Sequence, residues 1–278
     1  MTIKQLNSAL FFPFSILLIA LFFVIAPSRS FAQEDYEIQV YPSQTIEKGF
    51  TMVELHSNTS FRGQGIIDGV RPTQNAFRET FEITHGFTSN FEVGFYQFIN
   101  IQSGFGAQWV GTHIRPRISI PKEWNWPLGI SLSTEVGYQR REYSADTWTT
   151  EIRPIFDKDF KSCYFSFNPV LGKSLSGLNQ GENFDFAPSC KVAFHLSPKV
   201  DFGAEYYGSM GPIGSKTPVK EQSHAIYAAL DLDLHPDWEF NLGTGWGLTQ
   251  STDGFIMKLI FGYRFGSKAK KTKGQPES

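Results

Sequence analysis

Phe255-Ile-Met-Lys-Leu-Ile-Phe-Gly-Tyr-Arg-Phe265 decides how this chain folds. Its odd positions, Phe255, Met257, Leu259, Phe261, Tyr263 and Phe265, are all apolar or aromatic, while its even positions include Lys258, Gly262 and Arg264. Successive side chains of a β-strand point to opposite faces. The stretch is therefore predicted to be a strand with one greasy face and one face that carries charge.

The same period of two runs back through the chain to about residue 50. Phe77, Phe81 and Ile83 alternate with Arg78, Thr80, Glu82 and Thr84. Leu132, Val136 and Tyr138 oppose Ser133, Glu135 and Gln139; Phe202, Ala204 and Tyr206 oppose Asp201, Gly203 and Glu205. Twelve such runs are predicted, an even number. Tight links at 88–90, 157–161, 197–199 and 235–237 alternate with more variable ones at 62–76, 101–108, 140–146, 176–182 and 209–222. Pro116, Pro154, Pro169 and Pro188 fall inside predicted strands, where each removes a ladder donor. They argue against an unbroken sheet.

Alternation alone does not say which face is inside. A soluble sandwich or small barrel buries the greasy face, and a membrane barrel exposes it. Three features favour the second: the aromatic last strand, the alternating link lengths, and aromatics near strand ends (Phe91, Trp109, Trp148, Trp238 and Phe265). Gly is abundant at 25 residues, aromatics make up 15% and charged residues only 19%, a mixture suited to short strands and tight turns. The expected fold is all-β: an antiparallel up-and-down transmembrane β-barrel of about twelve strands over residues 49–265. The final Tyr-x-Phe resembles the C-terminal signal of bacterial outer-membrane barrels.

The N-terminus fits an exported chain. Lys4 is the only charge before an apolar run from Ala9 to Ala26, and Ser30-x-Ala32 matches the small-x-small pattern of a signal-peptidase site. Residues 1–32 are expected to be a cleaved signal peptide, with a membrane-anchoring helix as the alternative. Residues 33–48, polar and containing Pro42, are expected to be a periplasmic lead-in, and 266–278, with four lysines, a disordered basic tail. Cys163 and Cys190 fall in neighbouring predicted strands, and export makes a disulfide one of two readings, a pair of lipid-facing thiols being the other.

A greasy outer face sends the polar face into the lumen. That face carries Glu54, His56, Glu82, Glu92, His113, Arg115, Arg117, Glu135, Glu151, Arg153, Lys191, Glu205 and Lys258. Arg115 and Arg117 share a face between strands bearing Glu92 and Glu135, and Glu151 and Arg153 follow on the next strand. These six are the candidate lumen and selectivity residues, either lining a polar path or neutralising one another in a sealed barrel. No catalytic set emerges. His56-Ser57 and Ser223-His224 are adjacent pairs, so in a strand their side chains point to opposite faces. No cofactor is expected, no metal-type spacing such as C-x-x-C is present, and a net charge of −2 gives no reason to expect nucleic acid.

Glu82-Ile-Thr-His-Gly-Phe-Thr-Ser-Asn-Phe-Glu-Val-Gly-Phe95, His113-Ile-Arg-Pro-Arg117, Ser131-Leu-Ser-Thr-Glu-Val-Gly-Tyr-Gln-Arg-Arg141 and Trp148-Thr-Thr-Glu-Ile-Arg-Pro154 resemble a family of uncharacterised bacterial outer-membrane proteins. These are often labelled transporters and are distantly like the outer-membrane proteins of the phenol meta-cleavage degradation pathway. The resemblance implies a passive channel for small, aromatic or hydrophobic, solutes rather than an enzyme. Implied partners are outer-membrane lipids, an unidentified small-molecule solute and, during insertion, the barrel-assembly machinery. A structural or adhesive barrel with a sealed, charge-paired lumen is the alternative, with an outer-membrane enzyme behind it.

Overall fold

The computed structural model describes residues 36–266. The expected signal peptide (1–32) and the tail beyond Gly266 lie outside the described residues. Twelve strands follow one another: β1 (Phe50–Arg62), β2 (Phe77–Gly86), β3 (Phe91–Gln102), β4 (Gly106–Ser119), β5 (Gly129–Gln139), β6 (Asp146–Asp159), β7 (Cys163–Gly177), β8 (Asp185–Ser197), β9 (Val200–Ser209), β10 (Ser223–Leu232), β11 (Trp238–Gly247) and β12 (Phe255–Gly266). Each pairs antiparallel with its neighbour in sequence, and β12 closes on β1 from Phe50↔Gly266 to Arg62↔Phe255. The result is a closed barrel with no free edge.

The alternation of the sequence maps directly onto this wall. On β2, Phe77, Phe81 and Ile83 are exposed outside, while Arg78, Thr80, Glu82 and Thr84 are buried inside. The pattern repeats around the barrel, with Leu132, Val136, Phe202, Leu242, Met257 and Phe261 outside and Ser133, Glu135, Glu205 and Lys258 inside. Exposed Trp124, Trp126, Phe160, Trp238 and Phe265 rim one end; Phe61, Phe105, Trp109, Trp148 and Trp246 rim the other. An apolar outer band between aromatic girdles, over a polar interior, belongs to a transmembrane barrel. Among the described residues no helix is long and apolar enough to span a membrane; the crossing elements are the strands.

This inside–outside assignment predicts a clear result. Leu132→Arg or Leu242→Arg places a cation on the lipid face and is expected to cost about 2–4 kcal/mol near the bilayer midplane. Urea unfolding in lipid vesicles measures this. A cost close to zero for both would contradict the assignment.

Links at 63–76, 140–145, 178–184, 210–222 and 248–254 gather at one end, and shorter ones at 87–90, 160–162, 198–199 and 233–237 at the other. Two links stand apart from their side. The expected variable link at 101–108 is a turn of 103–105 only, because Gly104 and Gly106 adopt φ of +83° and +67° and reverse the chain tightly. On the short-turn side, 120–128 is longer and holds a one-turn helix, Lys122–Trp124.

The four strand prolines are accommodated where ladders skip or meet in pairs. The β4–β5 register passes from Ile114↔Val136 to Arg117↔Ser133, leaving out Pro116. The β6–β7 register passes from Ile152↔Leu171 to Phe156↔Phe167, leaving out Pro154 and Pro169. Pro169 and Pro188 face each other on β7 and β8, so neither strand is asked there for an amide donor. Cys163 and Cys190 are free thiols: Cys163 sits opposite Phe194 and Cys190 opposite Phe167, so the register sets them apart along the hairpin.

Candidate functional site

Where a polar lead-in was expected, residues 36–48 run inside the barrel. Tyr36, Glu37, Ile38, Val40, Tyr41, Ser43 and Thr45 are all buried. Ile38 and Val40 pack against Tyr207, Ala225, Tyr227 and Ile256 on one side of the lumen, and Tyr36 against Tyr96, Phe98 and Val110 on the other. The segment makes no strand pairing, so its backbone groups need side-chain partners. The wall supplies them. Asn168 of β7 accepts from the Tyr41 amide at 2.8 Å and donates to its carbonyl at 3.1 Å. Lys258 of β12 donates to the Ile38 carbonyl at 3.0 Å. Arg117 donates to the carbonyls of Pro42 and Gln44 at 2.9 and 3.0 Å. Glu92 accepts from the Ile46 amide at 2.6 Å, and Asp157 from both the amide and hydroxyl of Ser43 at 2.8 and 2.6 Å.

The candidate lumen residues surround this segment. Arg115 pairs with Glu82 at 2.6 Å and with Glu92 at 3.3 Å, and Arg117 pairs with Glu92 at 2.7 Å. Arg115 also donates to the Tyr96 hydroxyl. Arg153 pairs with Glu151 at 2.8 Å. Tyr41 brings the groups together: the guanidinium carbons of Arg115, Arg153 and Arg117 lie 4.8, 4.7 and 5.8 Å from its ring centroid. An electron-rich ring face among three cations is an attractive arrangement, strengthened by exclusion of water. Glu135 goes elsewhere: it holds His113, not the arginines.

The register explains these pairings. Glu92 and Arg117 are directly opposed on β3 and β4. Arg115 is opposed by Gly94 and reaches across it to Glu82 on β2. A Cβ at position 94 would lie 3.1 Å from the Arg115 Nη2 and 3.2 Å from the Glu82 Oε1, so the missing side chain is the passage. Glu82, Tyr96 and Tyr41 are members of this network outside the six candidates of the sequence reading; the glycine between two charged strands was the available signal for the first.

A second network lies across the lumen. Lys258 pairs with Glu205, and Lys191 bridges Glu205 at 3.3 Å and Asp231 at 2.7 Å. At the long-loop end Arg78 pairs with Asp253 at 3.0 Å, and Asp253 also accepts from the Gln64 amide at 3.0 Å, tying the 63–76 link to the 248–254 link. The serine–histidine pairs remain apart: Ser57 donates to Glu79 at 2.7 Å, and His224 pairs with the Tyr206 hydroxyl at 2.6 Å.

Two cavities flank the inner segment. One of ≈ 240 Å³ at the long-loop end is lined by Tyr36, Arg71, Arg78, Tyr143, Lys173 and Asp185, among others. The other, ≈ 780 Å³ at the short-turn end, is lined by Pro42, Thr45, Lys48, Trp126, Asp157 and Tyr164, among others.

No protein-family model matches the sequence, and no curated protein matches it. Solved structures do resemble the fold. A crystal structure of an outer membrane channel from Pseudomonas putida F1 matches with a TM-score of 0.56 at 9% identity, covering 82% of this chain and 100% of that one. The KdgM porin matches with a TM-score of 0.52 at 10% identity, covering 77% of this chain and 99% of that one. The twelve-stranded barrel thus has the architecture of bacterial outer-membrane β-barrel channels.

Proposed function

We propose that the protein is a passive outer-membrane channel for small solutes, with the 36–48 segment setting the width of its path. The supporting observation is the division of the lumen: two cavities at opposite ends are separated by a segment held through side-chain contacts rather than by a continuous strand. A segment held in this way can shift without breaking the wall. Short turns, the start of β1 and the end of β12 share one side, which in outer-membrane barrels is the periplasmic one. Export through a cleaved signal peptide and contact with outer-membrane lipids belong to this reading. The finer expectation of aromatic or hydrophobic solutes rests on the sequence resemblance alone.

One observation favours the sealed, structural alternative. Arg115 and Arg117 are already saturated by Glu82, Glu92 and backbone carbonyls, so they present little free charge to a passing solute.

A reversible lock separates the two. Ser43 and Asp157 are hydrogen-bonded at 2.6 Å. Cysteines at both positions, in a Cys163→Ser, Cys190→Ser background, are expected to cross-link the segment to β6. Planar-bilayer conductance and liposome swelling should fall on oxidation and return on reduction. Equal conductance in both states shows a path that does not depend on the segment. Absence of conductance and swelling, reduced or oxidised and in wild type, retires the channel.

A further inference from the structure

A buried His–Glu–Glu set in the wall enters the lumen network only through Oε1 of Glu82. Glu54 and His56 lie two apart on β1 and share the lumen face, and Glu82 stands directly across from Glu54 on β2. Their exposures are 7%, 0% and 1%. One donor atom from each lies within 4.8 Å of the others.

The arrangement is unfavourable as it stands. Like charges directly opposite in an antiparallel pair repel, and burial strengthens the repulsion. Arg115 and Thr84 both bind Oε1 of Glu82 at 2.6 Å. The other oxygen, Oε2, has no hydrogen-bond partner; it faces His56 Nε2 at 3.4 Å without hydrogen-bond geometry. Neither ring nitrogen of His56 makes a hydrogen bond, although the side chain is fully buried. Buried polar atoms left without partners are costly and uncommon. Gly262 of β12, the partner of Glu54 on its other side, keeps space open there: a Cβ would lie 3.0 Å from the Glu54 Cγ.

We infer that Glu54, His56 and Glu82 form a binding site for one divalent transition-metal ion. A dication between the carboxylates removes their repulsion, and the imidazole supplies a nitrogen ligand. One imidazole with two carboxylates suits Zn²⁺, Co²⁺, Fe²⁺ or Mn²⁺ better than Ca²⁺ or Mg²⁺, which favour all-oxygen shells. Three protein ligands leave at least one position open toward the lumen. A second buried set, Glu37, His113 and Glu135, also brings its donor atoms within 4.8 Å. There the His113 Nδ1 is already engaged by Glu135, and Glu37 accepts from the Tyr41 hydroxyl at 3.2 Å. It serves as the internal control. The assignment stands or falls independently of whether the barrel conducts.

The test is Co²⁺ titration of the folded, tag-free, chelator-treated barrel in detergent at neutral pH, followed by visible absorption and calorimetry. Wild type should bind a single buried ion and develop ligand-field bands. His56→Gln and, separately, Glu54→Gln should weaken binding by at least about ten-fold, while His113→Gln should retain it. Heat-modifiable gel mobility establishes that each variant is folded. No binding by wild type, unchanged affinity in the folded His56 or Glu54 variant, or loss of binding in the folded His113 variant would each overturn the assignment. Two independent variants of the site ensure that misfolding of one leaves the question decidable.

Discussion

Arg115→Gln combined with Arg117→Gln is expected to be among the most damaging polar substitutions in this barrel. Glu82 and Glu92 would keep their burial and lose their guanidinium partners. Breaking a buried ion pair from one side costs on the order of 3–5 kcal/mol, because a desolvated charge is left alone. The inner segment would also lose the two hydrogen bonds from Arg117 to Pro42 and Gln44 and much of the cation cluster around Tyr41. Unfolding by guanidinium chloride in lipid vesicles should show a large fall in midpoint. In protein that remains folded, a lumen stripped of two cations should shift ion selectivity toward cations. Unchanged selectivity would mean that ions do not pass this network. Unchanged stability would mean that the carboxylates take up protons at little cost.

Deleting residues 36–46 should have the largest effect on permeation. It removes the chain that separates the two cavities and leaves the wall ladder from β1 to β12 intact. Single-channel conductance is expected to rise several-fold over wild type, with a lower melting temperature from the loss of both apolar clusters around Tyr36 and Ile38. A folded deletion variant with wild-type conductance would show that the wall side chains themselves define the constriction.

The wall was legible in the sequence because its physics is local. Each strand needs only a period of two, and the sign of the outer face followed from aromatics at strand ends. The Glu92–Arg117 pair was legible for a similar reason, since the residues oppose each other on adjacent strands. Glu135 was expected beside the arginines, and the β4–β5 register does keep it level with Arg115, but Arg115 turns to Glu82 and Glu92 and Glu135 bonds His113 instead. The inner segment was not legible. Glu37, Gln39, Pro42, Ser43 and Gln44 read as a polar linker, and nothing local distinguishes a linker in water from one in a polar lumen. Its position is fixed by partners far along the chain, such as Asn168, 127 residues from Tyr41. The His56 set was missed for a different reason. Metal-type spacing is sought within one stretch, whereas here two ligands come from one strand and the third from register with the next.

The inner segment also constrains how the barrel is assembled. Its anchors are spread around the circumference: Glu92 on β3, Arg117 on β4, Asp157 on β6, Asn168 on β7 and Lys258 on β12. Only a closed wall converges that full set on one segment, so in any open intermediate much of the 36–48 backbone must still be hydrated. The segment leads directly into β1, the strand that must find β12 to close the wall. Capture of the segment and sealing of the seam are therefore one cooperative event. A sequence change that loosens either should slow the last step of insertion, even where the finished barrel looks the same.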